Sequence, residues 1–147
     1  MAVSDLNGPI LAIDTGTERL SIGLAGAGLS PLLYEAPGGA AASRDLLPAI
    51  HGLFEEAGIG ARDLAAVAFG RGPGSFTGLR TACAVAQGLA FGAGLPVLAV
   101  DSLLAVAEDR WLREPADSVV ALLDARMGEV YAQAWCRAAD RWTARSR

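Results

Sequence analysis

The sequence predicts an α/β protein with elements in the order β-β-β-α-β-α-β-α, followed by the start of a second, similar lobe. Three observations support this prediction. Short apolar runs separated by glycine-containing turns open the chain, two later segments repeat apolar residues at helical spacing, and an opening pattern of strand, Asp, turn and strand recurs near the C-terminus. We expect a first lobe over residues 1–110 and an incomplete second lobe, a hairpin and tail, over residues 111–147.

The first three elements are predicted to form a β-meander. Apolar runs at 9–14, 20–26 and 29–36 are joined by short turns that contain glycine, which is typical of antiparallel strands. The segment APGGAAAS at 36–43 is a flexible loop by composition. The meander is therefore expected to lead through a loop into the first helix.

Helices and strands alternate after that loop. Ser43 or Asp45 can cap a helix that ends at Ala57, and a further strand at 64–70 is apolar throughout, which favours a central position in the sheet. A helix over 76–92, a strand over 95–100 and a helix over 102–111 follow. Crossovers of this kind are right-handed.

The second lobe is predicted from one hairpin. VALLDARMGEVYAQAW repeats the plan of ILAIDTGTERLSIGLA, with strands at 118–124 and 129–136. The last eleven residues carry four arginines and one acid. An exposed tail is favoured there over contact with RNA phosphates.

Composition excludes several classes of function. The 147 residues are 52% apolar and 19% charged, and the formal net charge of -4 offers no general attraction to nucleic acid or anionic membrane. All twelve basic residues are arginine, which removes every mechanism that needs a lysine. The single His51 cannot supply a multi-histidine metal site, and Cys83 and Cys136 are expected to be free, buried thiols. With no signal peptide or membrane segment in the pattern, a cytoplasmic protein is expected.

The stretch GRGPGSFTGLR at 70–80 joins a predicted strand to a predicted helix. It lacks the lysine of a Walker loop, and neither GxSxG nor GxGxxG fits its glycines. Backbone N–H groups at such a turn can hold an anion. A tight structural connection, with Ser75 or Thr77 as cap and Gly78 allowing close packing, is favoured.

The hairpin DTGTE offers a second candidate site. Asp14, Thr15, Gly16 and Thr17 follow a strand and could face the phosphates and Mg²⁺ of a nucleotide. An ordinary β-turn explains the same residues and is favoured from their chemistry alone. A hydrolytic pair of His51 and Ser75 is disfavoured, because His51 lies on the polar face of its helix.

The helix over 76–92 has small and apolar residues on two opposite faces. Gly78, Ala82, Val85 and Leu89 share the face predicted to pack on the sheet. The opposite face carries Phe76, Arg80, Cys83, Gln87 and Phe91. A surface helix would be mostly charged there, so another protein chain is the expected cover for this second face.

Taken together, ILAIDTGTE, LLPAI, GRGPGSFTGLRTACAVAQGLAFG, PVLAVDSLLAVA and LLDARMGEVYAQAW resemble the TsaB (YeaZ-like) family of the bacterial machinery for tRNA N6-threonylcarbamoyladenosine. The resemblance covers about residues 9–136. It implies the actin/Hsp70-like (ribonuclease H-like) fold and makes Asp14, Thr15, Gly16 and Thr17 a vestigial phosphate hairpin. The family histidine before LLP is replaced here by the stretch AASRDLLP.

The resemblance implies a partner subunit that is not catalytic by itself, with no catalytic and no metal residues. The implied partners are a TsaD-type catalytic subunit and a TsaE-type ATPase, a homodimer when the chain is alone, and tRNA only indirectly, with no membrane. No cofactor is required by the chain, and ATP with Mg²⁺ belongs to the assembled complex. The alternatives are a nucleotide-binding ATPase or phosphotransferase using Asp14, and an endopeptidase.

Overall fold

The computed structural model describes residues 6–39 and 42–145, and the chain divides into two compact units. The first unit runs to Arg71 and resumes over Ser75–Ala99. The second unit comprises Gly72–Gly74 and the chain from Val100 onward. Each unit has its own sheet and its own apolar core.

The first unit is built on a mixed five-stranded sheet in the order β3-β2-β1-β4-β5. Its strands are β1 (Ile10–Asp14), β2 (Arg19–Gly26), β3 (Leu29–Pro37), β4 (Ala66–Gly70) and β5 (Val97–Val100). Antiparallel pairing joins β1 to β2 and β2 to β3, while β1 and β4 run parallel. The predicted meander and the internal position of the fourth strand are therefore confirmed.

Two helices supply the rest of this core. Helix α1 (Ala42–Ala57) buries Leu46, Ile50 and Leu53, and helix α2 (Phe76–Ala93) buries a line of three alanines. Both helices pack on the sheet face that carries Leu11, Ile13, Leu20, Ile22, Leu24 and Val67, all nearly inaccessible to solvent. Small residues on α2 bring its backbone close to the sheet, and this closeness positions the site described below.

The second unit contains helix α3 (Ser102–Arg113) and a three-stranded antiparallel sheet of β6 (Ser118–Arg126), β7 (Glu129–Ala138) and β8 (Arg141–Ala144). Asp101 caps α3 by accepting hydrogen bonds from the N–H groups of Leu103 and Leu104. The sequence pattern assigns this helix to the first lobe, with a boundary at residue 110. In the structure it packs against β6 and β7, because Leu103 and Ala107 share a core with Ala121 and Trp135.

The C-terminal segment is a strand where an exposed tail is predicted. Residues Arg141–Ala144 pair with β7, so that Trp142 packs against the second core. Arg137 belongs to β7 itself, and its side chain is only 12% exposed. The prediction of an arginine-bearing tail is therefore wrong for the residues up to Ala144.

Candidate functional site

The first candidate site is the β1–β2 hairpin, whose polar groups bond mainly within the chain. The N–H of Gly16 donates to the Asp14 carboxylate over 2.7 Å, and the hydroxyl of the buried Thr15 donates to the carbonyl oxygen of Gly78 over 2.6 Å. Thr17 is exposed, and its hydroxyl oxygen accepts a hydrogen bond from the Arg19 N–H over 3.1 Å. The structure thus brings Asp14, Thr15, Gly16 and Thr17 together in one turn.

The first turn of α2 lies directly against this hairpin. A Cβ placed on Gly78 would stand 1.8 Å from the carbonyl oxygen of Thr15, far inside van der Waals contact. The Ser75 N–H donates to the carbonyl oxygen of Gly16 over 2.6 Å. Glycine at position 78 is therefore a requirement of the approach between the two segments, in agreement with the close packing expected of it.

The residues of GRGPGSFTGLR act here as a connection with a helix cap. Ser75 is the N-cap of α2, and its hydroxyl oxygen accepts from the Gly78 N–H over 3.5 Å. The N–H groups of Ser75 and Gly78 are therefore used within the chain, and so is the N–H of Gly16. A phosphate at this hairpin would have to compete with those bonds, which is consistent with the structural interpretation of both motifs.

The second candidate site is the outer face of α2, defined as Phe76, Arg80, Ala84, Gln87, Gly88 and Phe91. Each of these residues is exposed, and Phe76 and Phe91 expose 69% and 93% of their surface. The Arg80 guanidinium stacks 3.7 Å from the centroid of the Phe76 ring. Two exposed phenylalanines on one helix face are unusual for a surface that meets only water.

The buried side of α2 differs in detail from the prediction. Ala82, Ala86 and Ala90 are almost fully buried, whereas Val85 and Leu89 are only partly buried while still packing on the core. Cys83, predicted on the partner face, is half-buried at the boundary between the two sides. Ala84 and Gly88 belong to the outer face but carry little signal in the sequence, because small residues suit either side of a helix.

The remaining candidate residues are His51, the two cysteines and two of the tryptophans. His51 is exposed and lies 3.3 Å from Glu55, one helical turn away. Cys83 and Cys136 are free thiols, as expected, although both are half-buried and neither is fully enclosed. Trp135 and Trp142 pack in the second core.

Metal binding and membrane insertion are two further possibilities for the part of the chain that the structure describes. No group of three or more His, Cys, Asp or Glu side chains within residues 6–39 and 42–145 is arranged to hold a metal ion. Among the helices of that same part of the chain, none combines the length and apolar character needed to cross a membrane.

Comparison with known proteins identifies related chains. The family model for TsaD, tRNA N6-adenosine threonylcarbamoyltransferase, matches residues 37–141. The tRNA threonylcarbamoyladenosine biosynthesis protein TsaB of Haemophilus influenzae is 44% identical over 122 residues, which are 83% of this chain and 51% of that protein. TsaB of Escherichia coli is 43% identical over 83% of this chain and 52% of its own length. The chain therefore spans about half the length of these curated relatives.

Two solved structures of YeaZ or a YeaZ-like protein are also similar to this chain. YeaZ from Pseudomonas aeruginosa superimposes with a TM-score of 0.86 at 38% identity, covering 95% of this chain and 65% of that one. A second structure from the same organism, described as similar to peptidase YeaZ, gives a TM-score of 0.87 at 38% identity, covering 95% of this chain and 64% of its own. Similarity at this level extends to both units of the chain.

Proposed function

The chain belongs to the TsaD family and is TsaB/YeaZ-like within it, and on that premise we propose that it is a non-catalytic partner subunit for a TsaD-type catalytic subunit. The reaction it would support is threonylcarbamoylation of adenosine in tRNAs that decode ANN codons. A TsaE-type ATPase is the proposed third member of the assembly, and tRNA would be contacted indirectly. The cytoplasm is the compartment that this role requires.

The outer face of α2 is the observation that carries the proposal. Burying the Phe91 side chain in a protein interface would contribute about 2–3 kcal/mol, and Phe76 would add a smaller amount because it is less exposed. Ala84 and Gly88 lie between the two rings and would let the backbone of a partner helix approach closely. An apolar patch centred on small residues and flanked by aromatic anchors suits a helix from another protein.

The polar groups of the hairpin support a role without catalysis. Asp14 receives a hydrogen bond from Gly16, and Thr15 donates to the α2 backbone, so both hold the fold together. An ATPase or phosphotransferase would need those groups to face the nucleotide. An endopeptidase would need Ser75 and His51 to pair. Ser75 instead caps α2 and His51 lies near Glu55 on α1, and no hydrogen bond joins Ser75 to His51 among the described side chains.

Co-purification with a TsaD-type subunit tests the proposal. We expect the wild-type chain to be retained by a tagged TsaD-type protein and Phe91→Glu to reduce retention at least tenfold, since a charge in an apolar interface costs several kcal/mol. Phe91 is 93% exposed, so its substitution should leave the thermal unfolding midpoint within about 2 °C of the wild type.

Leu112→Glu provides the matched control. Leu112 is 68% exposed on α3, and the same change of charge there should leave retention unaltered. Equal retention of the wild-type chain and Phe91→Glu would remove the α2 outer face from the proposal. Failure of the wild-type chain to bind any TsaD-type subunit, together with ATP turnover by the isolated chain, would favour the enzyme alternative.

A further inference from the structure

A shallow groove lies between α1 and β3 in the first unit, on the flank of α1 formed by Asp45, Ala49, Gly52 and Glu56. Its volume is ≈ 490 Å³, and the lining is completed by Tyr34, Pro48 and Leu53. A volume of this size accommodates a small molecule or a few residues of a peptide. The groove is separate from the α2 outer face, so the inference below goes beyond the proposed partner function.

Spacing along the helix places a carboxylate at each end of the groove. Positions 45, 49, 52 and 56 are separated by four, three and four residues and therefore share one helix face. Glu56 follows Asp45 by eleven positions, which corresponds to about 16 Å along the helix axis. The floor between them consists of small or apolar side chains, with the ring of Tyr34 contributed by β3.

The floor contains two residues that are uncommon in the interior of a helix. Gly52 lies in the helix interior, where glycine is unfavourable, and a Cβ placed on it would meet nothing within 4 Å. Pro48 lies one turn earlier inside the same helix. Because Gly52 has no side chain, the groove stays open between its two acids.

The two carboxylates at the ends of the groove determine which charge its ligand should carry. Asp45 accepts hydrogen bonds from Arg44 at 2.7 and 3.2 Å, and this contact lowers the pKa of Asp45, so its carboxylate stays ionised at neutral pH. Arg44 is 78% exposed, and an exposed pair of this kind is easily replaced by another cation. No hydrogen bond or ion pair is found for Glu56 with the residues that the structure describes.

We infer that this groove binds an extended peptide segment that carries two arginine or lysine side chains four residues apart. An extended chain rises about 3.3 Å per residue, so two side chains four residues apart lie on one face of the peptide, about 13 Å from each other. Their own length covers the remaining few ångströms to Asp45 and Glu56. The residues between the two cations would lie on Ala49, Gly52 and Leu53, which suits small or apolar side chains. The cations would pair with the carboxylates at the two ends.

Fluorescence anisotropy with a labelled, end-capped octapeptide containing two arginines four positions apart, with alanine and leucine between them, tests this inference. We expect Glu56→Gln to weaken binding roughly fivefold and Gly52→Leu to abolish it by filling the groove. Arg44→Ala should tighten binding about two- to threefold, because it removes the internal competitor for Asp45.

Glu55→Gln is the matched control, since it removes the same charge one residue away, from an exposed side chain that pairs with His51. Its binding should equal that of the wild type. Equal weakening by Glu55→Gln and Glu56→Gln would mean that only the general negative charge attracts the peptide, and would overturn the inference. Undiminished binding by a Gly52→Leu variant with a normal circular dichroism melt would overturn it as well.

Discussion

The hydroxyl of Thr15 donates a 2.6 Å hydrogen bond to the carbonyl oxygen of Gly78, and the Cα of Gly78 lies against the carbonyl of Thr15 in return. A residue 63 positions later in the chain thus contacts the turn of the first hairpin through its backbone. Glycine allows the contact, because any side chain at position 78 would overlap the carbonyl oxygen of Thr15. The start of α2 and the hairpin therefore form one rigid corner of the first unit.

Gly78→Ala should be strongly destabilising. The new methyl group would meet a backbone oxygen at 1.8 Å, and only a backbone shift could relieve the overlap. We expect the free energy of unfolding to fall by at least ~2–3 kcal/mol in urea titrations followed by circular dichroism. Gly88→Ala is the control, because a Cβ there has open space, and it should stabilise the protein by up to ~1 kcal/mol. Equal stabilities of the two variants would contradict the packing described for Gly78.

Nucleotide should bind the isolated chain weakly or not at all. The Gly16 N–H and the Thr15 hydroxyl, two groups that a phosphate would need, already donate to Asp14 and Gly78. We expect isothermal titration with ATP and Mg²⁺ to give no dissociation constant below about 100 µM, roughly −5.5 kcal/mol of binding. A micromolar constant that disappears in Asp14→Ala would contradict this prediction and support the nucleotide-dependent enzyme.

Glu108 should hold the second core together through Arg137. The Arg137 guanidinium donates to Glu108 over 2.6 Å and stacks 3.7 Å from the centroid of the Trp111 ring, and the indole N–H of Trp142 donates to the same Glu108 oxygen. Glu108→Ala would leave the largely buried Arg137 without that partner and should lower the free energy of unfolding by ~1–2 kcal/mol.

Tryptophan fluorescence during unfolding measures this effect, because Trp111 and Trp142 both lie beside Arg137. Glu114→Ala is the comparison, at the C-terminal end of the same helix α3. The exposed ion pair of Glu114 with Arg110 should contribute ~0–0.5 kcal/mol. A smaller loss in Glu108→Ala than in Glu114→Ala would show that the position of Arg137 does not depend on Glu108.

The sequence predicts the first unit well and the second less well, for a physical reason. Strands of the first unit alternate or are continuously apolar, and caps such as Asp101 and Ser75 mark the helix starts. By contrast, β8 is four residues long with Trp142 as its one large apolar residue, and it forms through pairing with β7. Local patterns carry little information about a strand of that kind.

The candidate site shows the same division between local and non-local information. A helical wheel separates the two faces of α2. It does not distinguish two neighbouring rows on the buried face, Ala82, Ala86 and Ala90 in one and Val85 and Leu89 in the other. Contact with β4 and β1 decides which of these rows is fully buried. The sequence patterns did not indicate the α1–β3 groove, because it is lined by both Tyr34 and Gly52, which are 18 positions apart in the chain.

The outer face of the β6–β7 sheet should promote weak self-association. Val120 and Leu122 point to the side opposite the buried Ala121. Val130 lies on the same side, because it pairs with Asp124 on the neighbouring strand. The side chains of these three residues are 53–66% exposed. Three exposed side chains are far fewer than the roughly 20–30 residues that each partner contributes to a stable interface, so the expected dissociation constant lies in the range of tens to hundreds of micromolar.

Leu122→Glu should shift the sedimentation coefficient at tens of micromolar toward that of a monomer while leaving the melting temperature within about 2 °C, because Leu122 is 53% exposed. Phe91→Glu in the same experiment separates this face from the α2 outer face. If Leu122→Glu leaves self-association unchanged and Phe91→Glu abolishes it, the β6–β7 face has no part in association and the α2 outer face accounts for all of it.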